Sequence, residues 1–141
     1  MGSEIYLLPL AASICLLVAL VQAWIMTLVR YLKVTSIKKI FPSYRDLVRS
    51  HVDYIIMSAL IFAVYLVVLQ LQIVLPSIVM WLIFIGALYN PFGFILQAIK
   101  PNIVEAGGLV TKVGVVVGFT PLSVGLIWTA IEIISVVTAR L

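Results

Sequence analysis

Charge is scarce in this chain: of 141 residues, charged ones make up 10%, while the apolar and aromatic set makes up 65%. Such a balance excludes a water-facing globular surface and places the chain among integral membrane proteins. Metal-binding and nucleophilic side chains are scarcer still, with one cysteine, Cys15, and one histidine, His51. A lone cysteine excludes an internal disulfide and any cysteine-based zinc or iron–sulfur site, and it leaves the redox compartment unread. A zinc or di-iron centre built from protein donors alone needs three or four of them at one place, which one His, one Cys and five scattered carboxylates do not supply within one chain. No serine–histidine–acid spacing is present. The segment "EAGGLV" lacks the lysine and the preceding strand of a phosphate-binding loop, which removes nucleotide-driven chemistry. No repeat, low-complexity tract or linker divides the chain, so residues 1–141 read as a single transmembrane domain.

Long apolar runs are what the chain has instead. Four of them, about residues 5–29, 52–75, 77–98 and 113–137, are each long enough to cross roughly 30 Å of hydrocarbon at about 1.5 Å per residue. The first is too long for a signal-peptide core and is expected to be retained as a span. The expected fold is therefore all-α, an integral membrane four-helix bundle, with Pro76 forcing a tight antiparallel hairpin between the second and third spans. The loop after the first span carries Arg30, Lys33, Lys38, Lys39, Arg45 and Arg49, and the loop after the third carries Lys100 and Lys112, against Arg140 on the other side. The positive-inside rule then puts loops 1–2 and 3–4 in the cytoplasm and both termini outside. Because the net charge of +4 gathers beside the membrane, it reads as attraction to anionic headgroups of the lipid bilayer; no nucleic-acid partner is expected.

The stretch "DLVRSHVDYIIMSAL", residues 46–60, holds the histidine. Pro42 followed by Ser43, three residues ahead of Asp46, has the pattern of a capping box, so the second helix is expected to start near residue 43, before the membrane. Helical spacing puts His51 on an inward face with Leu47, Tyr54, Ile55 and Ser58, and turns Asp53 nearly the opposite way, four residues after its expected partner Arg49.

Polar groups at membrane depth each call for an explanation. In "GALYNPFGF", Pro91 removes a backbone donor and leaves the carbonyl of Ala87 without its helical partner, which predicts a kink beside Asn90. Asn90 is then either a helix-bonding amide, with Gly86 and Gly93 allowing close packing, or a group that faces a ligand. In the fourth span Thr129, Glu132 and Ser135 recur every three residues; Glu132 is either a proton relay, a carboxyl that stays protonated, or one that reaches the interface through a tilted helix. Gln22, Gln70 and Gln72 read as helix contacts or interfacial groups, and Trp24, Trp81 and Trp128 as belt or packing residues.

The lone imidazole has two readings. It bonds a serine or a carbonyl and serves packing, or it completes a b-type haem, whose porphyrin fills four of the six iron positions and needs a single axial histidine. In the second case Arg45 and Arg49, just before His51, are placed to pair with the haem propionates.

Taken together, "RSHVDYIIMSAL" and, about forty residues later, "LYNPFGFILQAI" resemble the small four-helix membrane isomerases that include styrene oxide isomerase and hydroxylaminobenzene mutase, over about residues 42–99. The resemblance implies that His51 is the proximal axial ligand of haem b and that Asn90 faces the substrate pocket. It also implies a ferric iron acting as Lewis acid in a redox-neutral rearrangement of a small apolar epoxide or hydroxylamine. The assembly implied is a homotrimer, in the multi-pass setting of a bacterial or archaeal cell membrane. The chain departs from the styrene oxide isomerase branch at Met57, where that branch has asparagine, at Gly86, where it has aspartate, and at Phe94, where it has a substrate-contacting tyrosine. Tyr89, next to Asn90, joins Asn90 and Phe94 as a candidate substrate-binding residue. Two other classes stay open: a non-catalytic oligomerising membrane protein in which His51, Asn90 and Glu132 serve assembly, and a small proton-coupled transporter built on Glu132, which lacks the expected inverted repeats.

Overall fold

The computed structural model describes residues 3–103 and 108–141; residues 105–107 of "EAGGLV" lie outside the described residues. A 3-10 turn at Ser3–Tyr6 leads into α1, Leu7–Arg30. A short α2, Thr35–Ile40, precedes α3, Tyr44–Leu71, then α4, Ser77–Ile99, a 3-10 turn at Pro101–Ile103, and α5, Leu109–Thr138. No strand occurs among the described residues. Among the described residues four helices are long and apolar enough to cross a membrane, as a multi-pass integral membrane protein requires.

Each end has a local cause. α1 stops where Lys33 takes a positive φ of 53° and turns the chain. α2 buries no residue. α3 begins after Pro42 as expected, but the Ser43 hydroxyl bonds the Asp46 carboxylate and makes no bond to a backbone N–H of the first turn. The Ser43 backbone N–H reaches across to Ala98 O, 3.2 Å away, fastening the start of α3 to the end of α4. At the other end α3 stops at Leu71, short of the expected residue 75, because Gln72 adopts the left-handed conformation with φ 57°. The freed apolar side chains Ile73 and Leu75 fold back beside Ile5, Val68 and Met80, forming a small cluster that closes this end of the helices.

The packing is less symmetric than a four-helix bundle. α1, α3 and α4 each pack on the other two, whereas α5 lies along α4 and barely touches α3. The main core runs mostly between the first three, from Leu8, Ala11, Ala12, Cys15 and Ala19 of α1 to Tyr54 and Ile61 of α3 and Val79, Ile83 and Ala87 of α4, with Leu122 as the one buried residue from α5. The small side chains of α1 bring its backbone close to both neighbours, a substitute for the hydrophobic drive that lipid does not provide.

Glycine does the same for α5. A Cβ added at Gly86 would stand 2.5 Å from the Leu122 nitrogen, and one at Gly125 2.6 Å from Ile83 Cγ1. Gly118 sits against Asn90 and Tyr89, with a Cβ there 3.3 Å from the Asn90 Cα. Gly118, Leu122, Gly125 and Thr129 thus form one buried stripe at helical spacing, and most of the rest of α5 is exposed. Gly93, expected to share the packing role of Gly86, has nothing within 4 Å of an added Cβ.

Gly86→Ala is expected to destabilise the protein by about 1–3 kcal/mol, because the backbone of Leu122 cannot yield as a flexible side chain would. A thermal denaturation series in detergent, read by loss of monodisperse protein, checks this: the midpoint falls for Gly86→Ala and holds for Gly93→Ala.

Candidate functional site

Pro91 sits inside α4 without ending it. Lacking an N–H, it leaves Ala87 O without the usual helical donor, and water is absent from the hydrocarbon region to replace it. The donors come from the neighbouring helices. Cys15 Sγ of α1 donates to Ala87 O at 3.7 Å, a weak thiol bond, and Tyr54 Oη of α3 donates to Leu88 O at 2.9 Å. One turn on, Ser50 Oγ donates to Pro91 O at 3.1 Å. The Ser50 oxygen in turn accepts from Gln22 Nε2 of α1 at 2.8 Å. A polar seam therefore runs among α1, α3 and α4 around Pro91.

His51 stands beside this seam. It is half-buried, and its Nδ1 lies 2.9 Å from Ala19 O on α1. A carbonyl only accepts, so Nδ1 carries the proton, and in the neutral ring Nε2 holds the lone pair. Leu47, Tyr54 and Ser58 share the inward face predicted for His51, but Ile55 is 44% exposed. The helix turns far enough between His51 and Ile55 to carry that side chain outward.

At the start of α3 the charges gather on Asp46, which is 5% exposed. Its carboxylate accepts from Ser43 Oγ and from Arg49 Nη1 at 3.3 Å, with Arg45 Nε 3.9 Å away. The partner of Arg49 is thus Asp46 and not Asp53. Helical side chains lean towards the N-terminus, and a long cation extends towards the polar end of its helix, which carries Arg49 back to Asp46 and away from the deeper Asp53. Both guanidinium-bearing side chains stay open, 78% exposed for Arg45 and 51% for Arg49.

The remaining candidates lie on another seam. Asn90 is half-buried with its backbone against Gly118 of α5, so His51 contacts α1 while Asn90 backs onto the fourth span. Tyr89 is 55% exposed and meets Phe92 edge-on, with ring centroids 6.4 Å apart. Phe94 is half-buried. In α5, Thr129 is buried and bonds Gly125 O of its own helix at 2.8 Å, Glu132 is half-buried and Ser135 is exposed. A three-residue step falls short of a full helical turn, so the row expected on one face winds from the core to the outside.

Sequence reasoning passed over Ser50 and Cys15, and took Tyr54 only as a face-sharing neighbour. The signal was present: Ser50 and Tyr54 are one turn apart on α3, and Cys15 and Gln22 two turns apart on α1, the spacing that puts donors in line with the carbonyls around Pro91. Neither a family model, nor a curated protein, nor a solved structure matches the chain.

Tyr54→Phe removes the donor to Leu88 O and leaves the ring in place. It is expected to cost about 0.6 kcal/mol, the average for hydrogen bonds between membrane helices, and no more than about 1.7 kcal/mol. Equilibrium unfolding in mixed micelles checks it, and an unchanged unfolding free energy would count against the seam as a source of stability.

Proposed function

We propose that the protein binds haem b through Nε2 of His51 and, in the finer form of the reading, acts as a redox-neutral isomerase of a small apolar epoxide or hydroxylamine. The observation that carries the first part is the Nδ1–H···O=C bond from His51 to Ala19 at 2.9 Å. It orients the ring and makes Nε2 the available donor, the arrangement by which a second hydrogen bond prepares a histidine for a metal. When bound, the haem would supply a ferric Lewis acid towards a substrate oxygen.

The chain's own residues have separable roles in this reading. Ala19 O sets the His51 tautomer, and Arg45 and Arg49, exposed on the two turns before it, are the cations available to propionates in exchange for Asp46. Asn90, Tyr89 and Phe94 line the substrate space; since Tyr89 stands on the outer surface of α4, its part in that space requires a neighbouring protomer over that face, as in a homotrimer. The basic segment Arg30–Arg49 and Lys100 face the cytoplasm, with both termini on the other side.

A second reading draws on the same bond. A histidine that only clamps α3 to α1 also donates from Nδ1 to a carbonyl, and the protein is then a non-catalytic assembly of helices. The visible spectrum of protein purified in detergent from haem-supplemented cells separates the two. The expected result is a Soret band that His51→Ala abolishes and added imidazole restores; a colourless wild-type preparation would overturn haem binding. Azide is expected to shift the band by entering an open axial position, and a band indifferent to azide counts against Lewis-acid chemistry.

A further inference from the structure

The connection between α1 and α3 is structured without being buried. Tyr31 and Leu32 before α2 and Ile40 at its end are exposed large apolar side chains, and Lys33, Lys38 and Lys39 stand exposed among them. Among the described residues none of these lysines makes an ion pair, and the nearby acid Asp46 is taken by Arg45 and Arg49. Water suits the cations and not the apolar groups, and hydrocarbon the reverse. The headgroup layer, where chains and phosphates meet, suits both.

Directly after α2 the chain enters the wall of a groove. Phe41 lines it together with Leu17, Val21 and Ile25 of α1, Leu47 of α3 and Ile95 of α4. The groove has a volume of about 260 Å³ and, Gln22 apart, an apolar lining. Leu17 and Val21 are exposed, so this edge is open to the surrounding lipid. Ile25 and Leu47 lie towards the end of the molecule where α1 stops and α3 starts, and Leu17 lies deeper. From Leu17 to Ile25 the helix rises about 12 Å, against the roughly 15 Å of hydrocarbon in one leaflet.

One backbone bond ties the lysines to this groove. Phe41 N–H donates to Ile37 O at 3.0 Å, closing the turn that contains Lys38 and Lys39. Unpaired positive charge therefore stands within one turn of a wall of an apolar channel. A phospholipid places its phosphate and its acyl chain in the same order.

We propose that the groove and the α2 lysines form a binding site for one anionic phospholipid, with an acyl chain laid along Leu17, Val21 and Ile25 and the phosphate held at Lys38 and Lys39. Lys33 adds to the positive field. This is a site for a single lipid molecule, beyond the general attraction of a basic loop to a charged leaflet. A zwitterionic phospholipid offers the same chain without net charge and binds more weakly. His51 takes no part in it.

The test is electron spin resonance of the protein in phosphatidylcholine nanodiscs that carry a trace of phosphatidylglycerol, or of phosphatidylcholine, with the same spin label on the same acyl chain. The motionally restricted part of the spectrum reports lipid held by the protein. In low salt phosphatidylglycerol is expected to be favoured at least about fivefold, the order of one lysine beside an anionic phosphate. The selective part is expected to saturate at a single lipid per chain. Replacing both lysines, Lys38→Gln with Lys39→Gln, is expected to abolish the preference and leave the phosphatidylcholine signal unchanged. Val21→Trp keeps every lysine and fills the groove from its exposed edge, and it is expected to remove the selective part as well; Leu17→Trp does the same from the deeper end. No preference in the wild-type protein, which is also the result if a second copy of the chain covers the groove, overturns the proposal. So does a preference that survives the lysine replacements, one that survives both tryptophan variants, or one that soluble glycerophosphate abolishes at constant ionic strength. None of these readings uses the Soret band, so failure of the haem reading leaves this site standing, and the converse holds.

Discussion

A carbonyl freed inside a membrane has to find a donor in the protein. Pro91 creates that demand in the middle of α4; Cys15 of α1 answers it at Ala87 O, while α3 bonds the nearby carbonyls of Leu88 and Pro91. Three donors on two other helices converge within about one turn of Pro91: a thiol, a phenol and a serine hydroxyl. Apolar packing in lipid tolerates sliding of one helix past another, because the surfaces exchanged are chemically alike. Hydrogen bonds to fixed backbone atoms do not, so the seam at Pro91 sets the register of the three-helix core. Ser50 carries the most of this, since it is bonded to both partners at once.

The fourth span is held by a different device. α5 presents Gly118, Leu122 and Gly125 to α4, and the contact is so close at Gly86 that the space is filled by the Leu122 backbone itself. Dispersion at short range, not hydrogen bonding, is then the attraction, and it acts along one stripe only. This is why α5 adds only Leu122 and the partly buried Leu126 to the core of the other three and leaves most of its surface exposed. The two devices divide α4 between them, with Ala87, Leu88 and Pro91 turned to α1 and α3 and Gly86 and Asn90 turned to α5. The separation of His51 from Asn90 onto different seams follows from that division.

How far the sequence carries depends on the interaction concerned. The four spans were legible because length and apolarity decide them, and so was the orphaned carbonyl at Ala87, which follows from proline having no N–H. Which side chain would relieve it was not legible, since Cys15 becomes its neighbour only once α1 is packed against α4. Gly86 and Gly93 look equivalent in the sequence, about two turns apart and nearly in line on α4, yet one stands against Leu122 and the other in the open, because spacing within one helix does not say how far along it the neighbouring helix stays close. The Arg49–Asp53 pair failed for a reason that spacing omits: i,i+4 geometry permits two partners, and the direction in which a cation seeks the polar end of its helix chooses between them.

The His51–Ala19 bond lies close to the Gln22–Ser50 bond in both helices, three residues earlier on α1 and one later on α3. Together they hold α1 against α3 through two polar contacts whose orientations are each determined by a backbone carbonyl, Ala19 O in one case and Pro91 O in the other. A structural task for His51 therefore does not compete with a ligating one. The two ring nitrogens point to different sides, so the bond that packs Nδ1 against α1 is also the bond that leaves Nε2 with its lone pair and a fixed direction. The same logic applies to Gln22, whose amide nitrogen is spent on Ser50 and whose oxygen is thereby left over. In each side chain one end is committed to holding the helices together, and the state of the other end is a consequence of that commitment.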